Sequence, residues 1–198
     1  MNKVTCDLTV SLDGYLAGPN QSPSEPLGEG GEELHRWMFE EPEANAEAIQ
    51  GILSAGAYIM GRNMFAGPGA GPWAPDWRGW WGEEPPYHAP VFVLTHHARP
   101  PLEMDGGTTF HFIADGIESA LAQAREAAGG GDVAVAGGAD TARQFLSAGL
   151  IDELRLHISP LILGGGTRLL DGVGPLTLEP TEVRGTGLVT HVRYRVLR

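Results

Sequence analysis

The sequence predicts an α/β protein built on a mostly parallel sheet with helices on both faces, and two observations carry that prediction. Strand-like and helix-like segments alternate through the second half of the chain, the order that gives a parallel sheet covered on both sides. The apolar runs AYIM at 57–60 and PVFVL at 90–94 are continuous rather than alternating, which suits strands buried on both faces.

Taken in order, Val4 to Ser11 alternates and is rich in Val, Thr and Leu, a first strand that ends in the turn chemistry of DGYLAGPN. After a polar Gly- and Pro-rich loop from Pro19 to Gly31, the segment Glu32 to Phe39 puts Leu34, Trp37 and Met38 at helical spacing. A second helical pattern runs from Pro42 to Leu53, with Pro42 in its first turn. AYIMGRNMF is a short buried strand running into a glycine and a cation, and PVFVLTHH is a central buried strand. Then follow a strand in TTFHFI, a helix in GIESALAQAREAAG, a strand in DVAVAG, a helix in DTARQFLSAG and a strand in ELRLHISPLIL. GLVTHVRYRVLR alternates like a final strand. No internal repeat or linker interrupts this order, so residues 1–198 are expected to form one domain.

Between the strands at 57 and 90 lies AGPGAGPWAPDWRGWWGEEPPYHA, which holds Trp73, Trp77, Trp80 and Trp81. A loop so long without its own regular structure is usually functional or disordered, and the tryptophans weigh against disorder. That much aromatic surface needs cover. It is expected at a homodimer interface, in a lid over a substrate pocket, or in a satellite core beneath the loop.

The 198 residues, 42% hydrophobic and 19% charged, suffice for a sizeable core. A net charge of -12 with only 13 Lys and Arg argues against nucleic acid as a partner. It leaves room for a small anionic ligand held by a few arginines or a helix N-terminus. Cys6 is the single cysteine, so neither an internal disulfide nor a cysteine zinc set can form. The N-terminus has no continuous apolar segment and no 18-residue apolar span follows, so a cytoplasmic protein without a membrane partner is expected.

Three strand ends carry the candidate chemistry. Gly137 and Gly138 stand where a buried strand becomes a helix, the place at which backbone can approach a phosphate and the helix offers unpaired N–H groups. The pair reads as a pyrophosphate cradle or as a tight turn with Asp140 or Thr141 capping the helix. In MGRNMF, Arg62 after a strand end suits a 2'-phosphate, or is a solvated surface arginine. Thr95 and His96 end another strand and suit the adenosine side of a nucleotide. His96 and His97 point to opposite faces, so no metal is expected between them.

SLDGYLAG, MGRNMF, PVFVLTHH, VAGGADTARQFL and GLIDELRLHISPLILGGGTRLL together resemble the dihydrofolate-reductase-like proteins. Within them, the chain is most similar to the group related to the reductase domain of the bifunctional riboflavin-biosynthesis deaminase-reductase. The resemblance covers nearly the whole chain, and its last two blocks are the specific ones. It implies a single domain, a mainly parallel sheet with an antiparallel C-terminal strand, and NADPH bound across the strand ends. The activity implied is reduction of a small heterocyclic or ribosylamino substrate, similar to 5-amino-6-(5-phosphoribosylamino)uracil reductase. The alternative is a nucleotide-binding or sensing module without redox turnover, or a dihydrofolate reductase.

Carried over onto this sequence, Gly61, Arg62 and Asn63 resemble the family's turn for the phosphates and 2'-phosphate, and Thr95 and His96 flank the adenosine. Gly137, Gly138, Ala139, Asp140 and Thr141 look like the pyrophosphate loop. Thr9, Leu16 and Ala17 match the first strand and mobile loop that border the nicotinamide. No helix-borne carboxylate matches the acid of the folate reductases, and the H-x-E and P-C-x-x-C motifs of zinc deaminases are missing. Relatives commonly pair, which implies a homodimer.

Other positions stay open between two readings. Asp13 is an Asx-type turn residue or a substrate-pocket group and candidate proton relay. Trp37 lines the substrate cavity by resemblance, or is core. Pro160 and Leu161 open a block that ends a strand beside that cavity, or form a glycine-rich turn. Glu32, Glu33 and His35 read as a solvated face, unless one of them points inward.

Overall fold

The computed structural model describes residues 2–69, 74 and 76–197. In chain order the elements are β1 (Val4–Ser11), β2 (Tyr15–Ala17), a 3-10 turn (Gly31–His35) running into α1 (Arg36–Glu40), α2 (Ala46–Ile52), β3 (Ala57–Gly61) and α3 (Arg62–Ala66). Then come β4 (Pro90–Leu94), β5 (Leu102–Glu103), β6 (Thr109–Ile113), α4 (Ile117–Ala127), β7 (Val133–Gly137) and α5 (Ala139–Ser147). The chain closes with β8 (Glu153–Ser159), β9 (Thr167–Arg168), β10 (Thr177–Gly185) and β11 (Thr190–Leu197).

Nine strands form one sheet in the order β10-β11-β8-β1-β7-β3-β4-β6-β5, and β2 with β9 makes a separate small ribbon. Every pairing from β8 across to β6 is parallel, whereas β11, β10 and β5 are antiparallel to their neighbours. The α/β class and the antiparallel C-terminal strand are therefore as expected. β7 inserts between β1 and β3, so the C-terminal ends of β1, β3, β4 and β7 open on one edge of the sheet, where α/β folds bind ligands.

Side-chain alternation sorts the core into two layers. Val4, Cys6, Leu8 and Val10 of β1 join Ile59, Phe92 and Val135 under α4 and α5, which contribute Leu121, Phe145 and Leu146. On the opposite face Tyr58, Met60, Val91, Val93 and Phe110 form a second layer around Phe65. The tryptophan loop roofs this second layer. Trp81 stacks on Phe110 with centroids 5.8 Å apart, and Trp77 donates its indole N–H to the Phe65 carbonyl at 2.9 Å. Trp77 and Trp81 thus pack into this layer as the satellite-core reading has it, Trp80 (39% exposed) and Trp81 also border the cleft at the strand ends as the lid reading has it, and Trp73 lies outside the described residues.

Several expected boundaries move. The helix expected over Glu32–Phe39 divides into the 3-10 turn and α1, and the one expected over Pro42–Leu53 begins at Ala46. The strand through ELRLHISPLIL stops at Ser159, because Pro160 has no N–H to continue a ladder. Among the described residues no helix is long and apolar enough to cross a membrane.

Candidate functional site

The strand ends border a continuous cleft of about 1310 Å³. Gly61 at the end of β3, Thr95 just after β4 and Gly138 just after β7 all lie on its wall. Of the residues expected to bind cofactor, Gly137 alone is absent from this wall. It shapes the turn instead, with φ 120, a left-handed backbone that favours glycine, and a cis peptide to Gly138.

Gly138 differs in kind. Its φ is -68, which any residue adopts, and a Cβ built there would meet nothing within 4 Å. It is the N-cap of α5, and neither Asp140 nor Thr141 caps the helix with its side chain. Asp140 instead pairs with Arg143 at 2.5 Å. The capped-turn alternative therefore lacks its caps, and the first turn of α5 presents uncapped N–H groups to the cleft. Gly61 is glycine for a packing reason, since its Cβ would lie 2.5 Å from Thr141 Oγ1. That closeness sets β3 against the start of α5.

Arg62 and Asn63 open α3 on the cleft wall. Arg62 Nη1 donates to the carbonyls of Gly69 at 2.6 Å and Gly67 at 3.3 Å, so the guanidinium is tied to the loop after α3 rather than extended into solvent. The Thr95 hydroxyl accepts the His97 N–H at 3.0 Å, and His96 is exposed on the rim. Thr9 projects from β1 into the cleft. Leu16 and Ala17 also line it, but from β2, paired to β9, rather than from an unpaired loop.

Four expected substrate-side positions lie elsewhere. Trp37 is fully buried and does not line the cleft; its ring packs 5.0 Å from that of His157 and 5.1 Å from that of His191. Pro160 is exposed, and the Leu161 carbonyl accepts the Leu12 N–H at 2.9 Å; neither residue is on the cleft wall. Asp13 accepts hydrogen bonds from Ser11 Oγ at 2.6 Å, Gly164 N at 2.8 Å and Leu163 N at 3.1 Å. These bonds, the Ser11 one foremost, hold its carboxyl below the usual carboxylate range, which suits a turn clamp and not a proton relay.

His35, expected on a solvated face, turns inward onto the cleft wall, where burial lowers its pKa. Two further residues on that wall were not anticipated. Asp7 of β1 and His157 of β8 have side chains only 6% exposed. Burial pushes the Asp7 carboxyl up to about 6 against the opposing pull of Arg155, whose Nη1 is 3.5 Å from Oδ2. Burial, with His191 next, pulls His157 down to about 3. The signal available was a charged residue on the Thr5–Asp7–Thr9–Ser11 face of an otherwise buried strand, polar along its whole length.

The parallel sheet, its switch in strand order and the cleft across the strand ends define a reductase-like α/β protein of the dihydrofolate-reductase type. The chain belongs to the RibD C-terminal domain family, whose model matches residues 2–192. It is 27% identical to the uncharacterized protein YyaP of Bacillus subtilis (strain 168), over 97% of this chain and 94% of that protein. Among solved structures, a chain from Shewanella sp. PV-4 named for riboflavin biosynthesis superposes with a TM-score of 0.67 at 21% identity, all of both chains being covered. Acinetobacter baumannii RibD gives 0.62 at 16% identity, covering 100% of this chain and 59% of that one. The pyrimidine reductase-like protein of Corynebacterium diphtheriae gives 0.58 at 14% identity, covering 100% and 92%.

Proposed function

We propose that this chain is a cytoplasmic NADPH-dependent reductase acting on a small heterocyclic or ribosylamino compound, similar to 5-amino-6-(5-phosphoribosylamino)uracil reductase. The observation that carries the reading is Gly138: a glycine with an ordinary φ of -68 on an uncapped helix N-terminus, with open space where a Cβ would stand. The fold has no packing need for glycine there, whereas a pyrophosphate seated against the backbone does.

In this reading Gly138, Ala139 and Thr141 hold the pyrophosphate through the first turn of α5. Arg62 and Asn63 receive the 2'-phosphate, Thr95 and His96 flank the adenosine, and Thr9, Leu16 and Ala17 border the nicotinamide. When bound, the cofactor supplies a hydride to a polarised C=N or C=O. The protein's part is to orient the two rings, exclude water and deliver a proton.

Calorimetric titration with NADPH and NADH tests the cofactor. NADPH should bind more tightly, and Arg62→Ala should erase about one to two decades of that preference, the worth of a charge-assisted contact. Equal affinities overturn it. NADPH consumption over a panel of pteridines and ribosylaminouracils tests turnover, and binding without consumption would leave a nucleotide-sensing module. A homodimer is part of the same proposal, checked by sedimentation at micromolar concentration. With Trp77 and Trp81 covered from within, the edge strand β10, where Val183 is 66% exposed, is the surface offered for pairing.

A further inference from the structure

A buried polar atom without a hydrogen-bond partner, His157 Nε2, lies on the cleft wall 3.9 Å from Asp7 Oδ1, while the other Asp7 oxygen, Oδ2, has only the 3.5 Å ion pair with Arg155. Native folds rarely leave such an atom unpaired, because it forfeits its hydration without return. The two residues together mark the seat of a polar occupant, and the hydrogen-bond chain behind His157 says which kind.

Asn45 is fully buried, and its Nδ2 donates to the carbonyls of Glu41 at 2.8 Å and Trp37 at 3.2 Å. Turning the amide over would set oxygen against two carbonyl oxygens, so Oδ1 is the acceptor on its other side. It receives His191 Nε2 at 2.8 Å, which is therefore the N–H of that ring. A neutral imidazole carries one N–H, so His191 Nδ1 is a lone pair. His157 Nδ1, 2.7 Å away, must then donate to it. That leaves His157 Nε2 as a second lone pair, 3.9 Å from Asp7 Oδ1, a carboxylate oxygen that is also an acceptor. Burial lowers the pKa of both imidazoles, in keeping with two neutral rings.

We propose that Asp7 and His157 form an acceptor pair in the cleft that binds the amino group of a neutral aminoheterocycle, which donates one hydrogen to each. Two acceptors 3.9 Å apart cannot bond each other, but one planar amino group spans them with two hydrogen bonds of ordinary length. Arg155 stands 3.5 Å from Asp7 Oδ2 while pairing with Glu153 at 2.6 Å, so a cation already lies beside Asp7 and a neutral amino group fits better than an ammonium ion. The inference rests on reading this cleft as the substrate site of a reductase, and it names the edge of the substrate that is recognised.

The probe is isocytosine, with 4-pyrimidinone as the analogue lacking the amino group, titrated into the full chain with and without saturating NADPH. Isocytosine should bind at least tenfold more tightly. Asp7→Asn and His157→Phe should each erase that preference while NADPH still binds, and the imidazole nitrogen resonance of His157 Nε2 should shift when isocytosine is added. The groups around Asp7 are Cys6 of β1, Glu153, Arg155 and His157 of β8, His191 and Arg193 of β11, Glu182 and Arg184 of β10, Glu47 of α2, Tyr58 of β3 and His35 of the 3-10 turn. Among them Asp7 is the one raised to about 6, so the preference should fall as pH drops through that value and stay flat in Asp7→Asn. Should Asp7→Asn fail to fold, His157→Phe and the wild-type resonance decide. Equal binding of the two probes, or an unmoved His157 resonance, overturns the proposal and leaves ordered water as the occupant. An isocytosine preference in a chain that binds no NADPH supports the acceptor pair and overturns the reductase reading instead.

Discussion

A single methyl group should separate two kinds of glycine at this cleft. Gly61→Ala drives a Cβ to 2.5 Å from Thr141 Oγ1, between a buried strand end and a buried side chain. Such overpacking costs about 1–3 kcal/mol. Adding Thr141→Ala removes the clashing oxygen, so the double variant should recover most of the loss, a non-additivity that urea midpoints would reveal. A Cβ at Gly138 has no atom beyond its chain neighbours within 4 Å and the φ is allowed, so stability of Gly138→Val should stay within about 0.5 kcal/mol of wild type. NADPH affinity should nevertheless drop more than tenfold by calorimetry. A folded Gly138→Val that binds NADPH normally would remove the main support for the cradle.

At the scale of elements, what could be read in the sequence was what local chemistry determines. β3, β4 and β7 are apolar runs that end at or just before Gly61, Thr95 and Gly137, and the turn residues beside them make up much of the cleft wall. β10 was not anticipated because it is an edge strand, exposed on both faces, with Pro180 and a register shift erasing the period-two signal. The Asp7–His157–His191 cluster was missed for a different reason. It is assembled by register, with Thr9 opposite His157 across β1 and β8, and His157 opposite His191 across β8 and β11, pairings between residues far apart in the chain. The tryptophan loop divides in the same way between local composition and packing. Trp81 is set among Phe65, Tyr87 and Phe110, so Trp81→Ala should cost about 3 kcal/mol by urea denaturation. Trp80→Ala, at the surface, should cost less than about 1 kcal/mol. Equal small losses would return the loop to the lid reading.

Acid stability belongs to the whole molecule, because protons bound by either state shift a single folding equilibrium. Asp7 has a pKa of about 6 in the fold against an ordinary 3.8. Between those values the folded chain holds a proton that the unfolded chain has lost, so the contribution of Asp7 is full below 3.8 and is lost as pH rises through 6. His157 has a pKa of about 3 in the fold against an ordinary 6.5. Between those values the unfolded chain holds a proton that the folded one refuses, so its contribution is full above 6.5 and is lost as pH falls toward 3. From pH 4 to 6 the two slopes, each about 1.4 kcal/mol per pH unit, have opposite signs and largely cancel. Removing either partner exposes the other. Asp7→Asn should lose stability on acidification from pH 6 to 4 more steeply than wild type by about that slope. His157→Phe should gain stability relative to wild type over the same interval. Urea unfolding followed by tryptophan fluorescence at stepped pH measures all three, and parallel curves would mean that neither group changes protonation when the chain folds.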